Sequence, residues 1–281
     1  MKSIVENNKS KANILTYIVL ALGAVFFIFL PIYLTLIGSF KTGADTIADF
    51  FSFPRSFFSE NYITVFNSGF FGYFLNTIEI TVFSVILILL IVPLGSYAIV
   101  RSKNSKLFKT IYMFCLLGLF VPFQVFMLPL TTVAAHLHAM NKIGLMFIYA
   151  SLSIPQTMFL YIGYMKANLP LELEEAASID GCGRLKTYLK IVFPLLKPIN
   201  ATIIILNALW IWNDFLLPFL ILGGDNGNWT LTLFQYNYVA ANQMNYGPMF
   251  ALYISSIVPI IIVYIIFQRR IIGGMVEGSI K

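Results

Sequence analysis

The densest run of ionisable side chains in this 281-residue sequence is LPLELEEAASIDGCGRLKTYLKIVFPLLKP, from Leu169 to Pro198. It carries Glu172, Glu174, Glu175 and Asp180, then Arg184, Lys186, Lys190 and Lys197. Pro170 suits the first position of a helix, and the glutamates then set negative charge on the first turn, where the helix dipole favours it. Leu169, Leu173, Ala176 or Ala177 and Asp180 follow the three-to-four spacing of one helix face. Gly181 and Gly183 stop the helix. A second, basic segment runs from Arg184 to Lys190, and Pro194 and Pro198 mark the start of a new apolar helix. The small Ala176–Ala177 face permits close approach by a partner, and Glu175 and Asp180 offer carboxylates to an arginine. Charge pattern alone is equally met by a solvated loop.

Other chemistries are poorly served. There is no H-E-x-x-H pair, no G-x-S-x-G elbow and no phosphate-binding loop. The nearest approach to the last is Gly273 to Gly278, with Ser279 where a lysine is required. The chain is therefore not expected to be an enzyme or to bind a cofactor or metal. His136 and His138 lack a nearby carboxylate or cysteine and read as loop residues. Asn228 opens a short glycosylation-type triplet of low specificity. Cys115 and Cys182 imply no disulfide framework.

These residues sit in a chain that is 59% hydrophobic and 11% charged, with a mean hydropathy of +0.84. Soluble domains carry about 25% charged residues, so this is an all-α integral membrane protein. Six apolar runs are long enough for a hydrocarbon core about 30 Å thick. They lie near Ile14–Phe40, Phe71–Val100, Leu107–Leu130, Ile143–Met165, Ile191–Leu222 and Pro248–Phe267. The first is too long for a signal-peptide core and is read as a retained span. Prolines within the runs predict tilts or local breaks. Phe71–Ile80 is expected to begin as an interfacial helix.

Of the 18 Lys and Arg residues, only Lys41, Arg55 and Lys142 fall outside when the N-terminus is placed in the cytoplasm. That asymmetry puts both termini and the Leu169–Pro198 segment inside, and it accounts for the net charge of +6 without nucleic acid. The expected layout is a cytoplasmic stretch at 1–13 and one six-helix membrane domain at 14–281, with a cytoplasmic hinge at 167–198 between spans four and five. No repeat of the halves is evident, which disfavours inverted-repeat transporters.

Ionisable residues within spans default to a functional reading. Glu79 lies near the outer end of the second span and is expected to snorkel or to pair with another helix. Asp214 follows Trp210, Trp212 and Asn213 late in the fifth. Together with Gln124 of the third span, Trp210, Asn213 and Asp214 are candidates to line a solute path, with aromatic faces for sugar rings and polar groups for hydroxyls. An interfacial tryptophan belt with a water-facing aspartate fits them as well.

The hinge resembles the cytoplasmic signature of membrane-spanning subunits of bacterial binding-protein-dependent ATP-binding-cassette importers. Glu175-Ala176-Ala177, Gly181, Ile191 and Pro194 stand where that family has its E-A-A, glycine and I-x-x-P residues. The longer LPLELEEAASIDG, with SIPQTMFLYIGYM, WNDFLLPFLIL and QRRIIGGMVEGSIK, looks most like the carbohydrate branch, similar to the smaller maltose permease subunit. The departures are Cys182–Gly183, where alanine and a small hydroxyl residue are usual, and Glu277 and Ser279 in the tail.

The resemblance implies a coupling helix seated in a cleft of an ATP-hydrolysing subunit, with Glu172, Glu175, Ala176, Ala177, Asp180, Gly181 and Pro194 in the coupling element. It further implies a second related permease, two ATP-hydrolysing subunits holding ATP and magnesium, and an external solute-binding protein. The same architecture could carry glycerol phosphate, an opine or a peptide. An ion-coupled transporter would need ionisable groups at mid-depth, whereas Glu79 and Asp214 lie near span ends.

Overall fold

The computed structural model describes residues 16–55, 57–102, 105–241 and 245–277, with the backbone alone at 263–264 and 266–277. The cytoplasmic stretch expected at 1–13 and the side chains of the C-terminal tail motif lie outside the described residues. Every regular element among the described residues is helical. Those residues fall into two units: one is the stretch up to Phe70 with Gln235–Pro259, the other Phe71–Phe234 with the stretch from Ile260 onward.

The first unit contains α1 (Thr16–Gly38), long and apolar enough to cross a membrane, and the short α2 (Gly43–Ala48) and α3 (Glu60–Asn67). Lys41, counted above among the outer-loop cations, is only 2% exposed. Its ammonium donates to the carbonyls of Asp49 at 2.8 Å and Phe50 at 3.3 Å, and to Ser52 Oγ at 3.4 Å. Asn61 donates to the carbonyls of Ser39 and Lys41, both at 2.8 Å. Buried polar groups without such partners would destabilise the loop, so these bonds fix its course.

The second unit holds most of the remaining chain. Its long helices are α4 (Phe70–Arg101) and α7 (Lys142–Asn168), both with span-like length and hydropathy. Phe71–Ile80 is continuous with α4 and forms no separate interfacial helix; the break comes earlier, at Gly69, whose φ is 94°. Pro93 and Pro155 sit inside α4 and α7 without ending them.

Two expected spans are broken. α5 (Lys106–Leu117) and its 3-10 extension to Phe120 turn by 112° into α6 (Phe123–His136). The residue before a proline is pushed out of the helical region, and Val121, before Pro122, is extended at φ −88°, ψ 113°. The run Ile191–Leu222 becomes three pieces: α9 (Arg184–Leu195), α10 (Lys197–Asn213) and α11 (Leu216–Leu222). α9 and α10 meet at 72°, with Pro198 in the first turn of α10. Counting each bent pair as one span, the described residues offer up to five spans, and Tyr246–Ile262 is a further, shorter apolar helix. It opens α13 (Tyr246–Glu277), which follows α12 (Leu231–Ala241).

α7 and α10 run antiparallel and are joined by side chains along their length. Tyr149 donates to Asp214, the C-cap of α10, at 2.8 Å, Asn207 to Thr157 at 3.4 Å and Tyr161 to Asn200 at 2.7 Å, and Tyr164 donates to the carbonyl of Leu195, the last residue of α9, at 3.4 Å. Around these bonds lie two apolar clusters. One centres on Tyr149, Leu145, Ile211 and Leu217; the other on Tyr161, Ile162, Val192 and Ile203. The Tyr161→Phe and Asn200→Ala replacements, singly and together, should show a coupling energy of about 0.6–1.7 kcal/mol in thermal unfolding of the purified protein.

The turn leading into α7 is tight. His138 adopts φ 55°, the Ala139 amide donates to Ala134 O at 2.8 Å, and Asn141 caps α7 by accepting from the Gly144 amide at 2.9 Å. A Cβ on Gly144 would collide with the Ala139 carbonyl, which is backbone and has no rotamer to yield. Gly144→Ala should destabilise the purified protein by about 1–3 kcal/mol, read as a lower melting temperature.

Candidate functional site

The hinge helix α8 spans Glu172–Ile179. It opens two residues later than proline placement alone suggests: Leu171 is its N-cap, with the Glu174 and Glu175 amides donating to the Leu171 carbonyl at 3.0 and 3.1 Å, so Pro170 precedes the helix. Its first turn is acidic as expected. Its end is a left-handed turn in which Gly181 takes φ 77° and the Cys182 amide reaches back to Ala177 O at 2.9 Å. Only glycine adopts that backbone region without steric cost. Gly183 has an ordinary extended backbone and caps α9.

The inner and outer faces of α8 differ from the sequence reading. Leu169 and Ala177 are buried, while Leu173, Ala176 and Asp180 are exposed, so the two alanines do not share a face. Glu172, Glu175 and Gly181 are exposed as well, as is Pro194 on α9. Ile179 is 87% exposed at the tip. Glu174 alone of the three glutamates is turned inward, where its carboxylate meets the end of α4. A cavity of about 650 Å³ lies between that end of α4 and the hinge, lined among others by Tyr97, Arg101, Phe108, Glu175, Cys182 and Arg184.

The Glu174 contact was not legible in the sequence, where Glu174 reads as one of several dipole-favoured acids. Its carboxylate accepts from Arg101 Nε at 2.7 Å and from the Tyr97 hydroxyl at 2.7 Å, and Arg101 also donates to the Leu169 carbonyl at 3.1 Å. The signal available in the sequence is that Tyr97 and Arg101 stand four apart, on one face of a helix. Nothing in the sequence pairs that face with residue 174.

The second candidate cluster sits at the break between α10 and α11. Asp214 is half-buried; it accepts from Tyr149 at one oxygen and from the Leu216 amide at the other, the latter at 3.1 Å. Its own carbonyl accepts from Thr232 at 2.7 Å. The carboxylate therefore holds the two helix ends in register. Trp210 is 40% exposed and meets the Tyr149 ring edge-on at 5.3 Å. Asn213 is exposed and bonds back to the Leu209 carbonyl at 2.7 Å. Gln124 is exposed one residue into α6. Its neighbour Phe123 and Phe215 both pack on the cluster containing Tyr149, Ile211 and Leu217, so the two helix breaks share one apolar core.

Toward the opposite end of α4 from the hinge, Glu79 pairs with Lys142 at 2.5 Å, and Lys142 also donates to Asn76 at 3.1 Å. Asn76 in turn donates to the carbonyls of Gly227 and Trp229 at 2.9 and 3.1 Å, pinning the loop that carries Asn228. Glu79 is thus paired with another helix, one of the two expectations for it.

The fold is shared with a solved bacterial ABC transporter described as involved in the import of the acidic polysaccharide alginate. The TM-score is 0.80 at 23% identity, over 93% of this chain and 97% of that one. Among sequence relatives, the multiple sugar-binding transport system permease protein MsmG of Streptococcus mutans is 47% identical over 94% of this chain and 96% of its own length. A probable starch degradation products transport system permease, AmyC of Thermoanaerobacterium thermosulfurigenes, is 36% identical over 89% of this chain and 91% of its own. The melibiose/raffinose/stachyose import permease MelC of Bacillus subtilis is 32% identical over 90% and 91%. Residues 91–275, which include the hinge and both helix breaks, match the family of binding-protein-dependent transport system inner membrane components, and the chain belongs to that family.

Proposed function

We propose that this chain is the membrane-spanning permease subunit of an ATP-driven sugar importer, forming half of a translocation pathway with a second, related permease. Six spans, with both termini and the hinge cytoplasmic, fit the lysine and arginine distribution and the two bent pairs. Two ATP-hydrolysing subunits on the cytoplasmic side would supply ATP and magnesium, and an external binding protein would deliver the solute. The relatives named above are sugar permeases, and that supports the carbohydrate class.

The observation that carries the mechanical part is the two-faced hinge helix. Its inner face is fastened to α4 through Glu174, while Glu172, Ala176 and Asp180 are exposed beside a bare Ile179, and Glu175 is exposed at the edge of the cavity. An isoleucine that exposed in a charged surround suits burial in a partner's cleft, and Glu175 suits a charge-assisted bond to an arginine there. Motion of the ATP-hydrolysing subunits would then be delivered to α8, and through α7 and α10 to the helix breaks that hold Asp214, Asn213, Trp210 and Gln124. These four are the proposed solute-path residues.

In proteoliposomes holding the complete complex, an oligosaccharide presented with the binding protein should raise ATP hydrolysis, whereas glycerol phosphate and peptides should not. Glu175→Ala should cut uptake about tenfold or more, in line with the loss of a charge-assisted bond worth 1.5–3 kcal/mol. Stimulation by a non-sugar solute alone would overturn the carbohydrate assignment, and undiminished uptake by the Glu175 variant would remove that residue from the coupling role.

A further inference from the structure

We infer that Arg101 and Tyr97 are positioning residues for energy coupling: they latch the hinge helix to the end of α4, so that a push on the hinge moves that span together with α7 and α10. The inference rests on the coupling role proposed for α8 and goes beyond it by naming a third span that receives the motion.

The geometry is specific. Arg101 is the last residue of α4, and Tyr97 lies one turn before it on the same face. Both oxygens of the Glu174 carboxylate are engaged, Oε1 by the Arg101 guanidinium and Oε2 by the Tyr97 hydroxyl at 2.7 Å. The side chains of Arg101 and Glu174 are 21% and 13% exposed, so water replaces the pair poorly when it parts.

The second arm of the guanidinium reaches the Leu169 carbonyl at 3.1 Å, and Leu169 is the C-cap of α7. One arginine therefore ties together the end of α4, the end of α7 and the first turn of α8. Tyr97 also lies against Tyr188 of α9, with ring centroids 5.2 Å apart, which fastens the far side of the hinge to the same helix.

Without the latch, α8 is held to the membrane helices by its backbone connections and by Leu169 and Ala177, leaving it free to tilt when pushed. A tilting hinge absorbs displacement that a fixed one transmits. A planar guanidinium bonded to two elements at once fixes orientation as well as position, a task a lysine ammonium performs poorly.

The test uses the complete complex in proteoliposomes, with solute taken up per ATP hydrolysed as the readout. Arg101→Gln and Glu174→Gln should each lower that ratio at least threefold, and the exchange Arg101→Glu with Glu174→Arg should recover at least half of the loss. Singles within threefold of wild type, or an exchange no better than the singles, would overturn the latch. If a single variant fails to assemble, Tyr97→Phe, which keeps the ion pair, is held to the same threefold threshold.

Absence of ATP-driven sugar uptake in the unsubstituted complex counts against the proposed function and not against the latch. The latch is then read on the chain carrying Cys115→Ser, from the rate of maleimide reaction at Cys182, which lines the cavity beside Arg101. A threefold rise on adding Arg101→Gln supports it, and a smaller change overturns it.

Discussion

The pairing of α7 with α10 is the contact on which the rest of the second unit depends. In hydrocarbon, apolar faces gain little from meeting each other rather than lipid, so specificity must come from close packing and from polar groups that find partners. Here the polar groups are spaced along the whole contact, from Tyr149 and Asp214 to Tyr164 and Leu195. The bonds fix register, the clusters of Tyr149 and Tyr161 fill the volume between, and the hinge is the connection between the two paired helices. A displacement applied to the hinge therefore meets a braced pair.

The same constraint explains why broken helices are tolerated. A backbone break exposes amides and carbonyls that lipid cannot satisfy, and each needs a substitute. At the α10–α11 break, Asp214 supplies it by accepting from the Leu216 amide while its carbonyl accepts from Thr232. Unwound backbone is stable only where protein or a cavity covers it, and Asp214 and Asn213, proposed for the solute path, lie at this break. Structural and transport roles for Asp214 are thus compatible, and its bond to Tyr149 binds both to the α7–α10 pair.

Much of this was legible in the sequence, unevenly and for physical reasons. The limits of α8 follow from local chemistry: an acidic first turn and a glycine at the left-handed position. The bend at Pro122 follows from steric exclusion before proline. The break at Asp214 was hidden, because hydropathy runs on through WIWNDFLLPFLIL and a single aspartate can end a helix or merely ride on it. The inward face of α8 was hidden too. Glu174 and Glu175 are chemically identical neighbours, and what separates them is an arginine 73 positions away in sequence. Lys41 shows the same limit: counted as a loop cation, it is buried against carbonyls that its own loop folds back to offer.

The central claim is that α8 and the end of α4 move as one body when the ATP-hydrolysing subunits close. Spin labels on exposed positions Leu173 and Lys106, one on the hinge helix and one at the start of α5, just beyond α4, would report their separation by pulsed electron resonance in the assembled complex. The claim predicts the same distance distribution with and without bound ATP, while labels on Leu173 and on the partner permease's hinge change separation. A shift between Leu173 and Lys106 as large as the shift between the two hinges would contradict it.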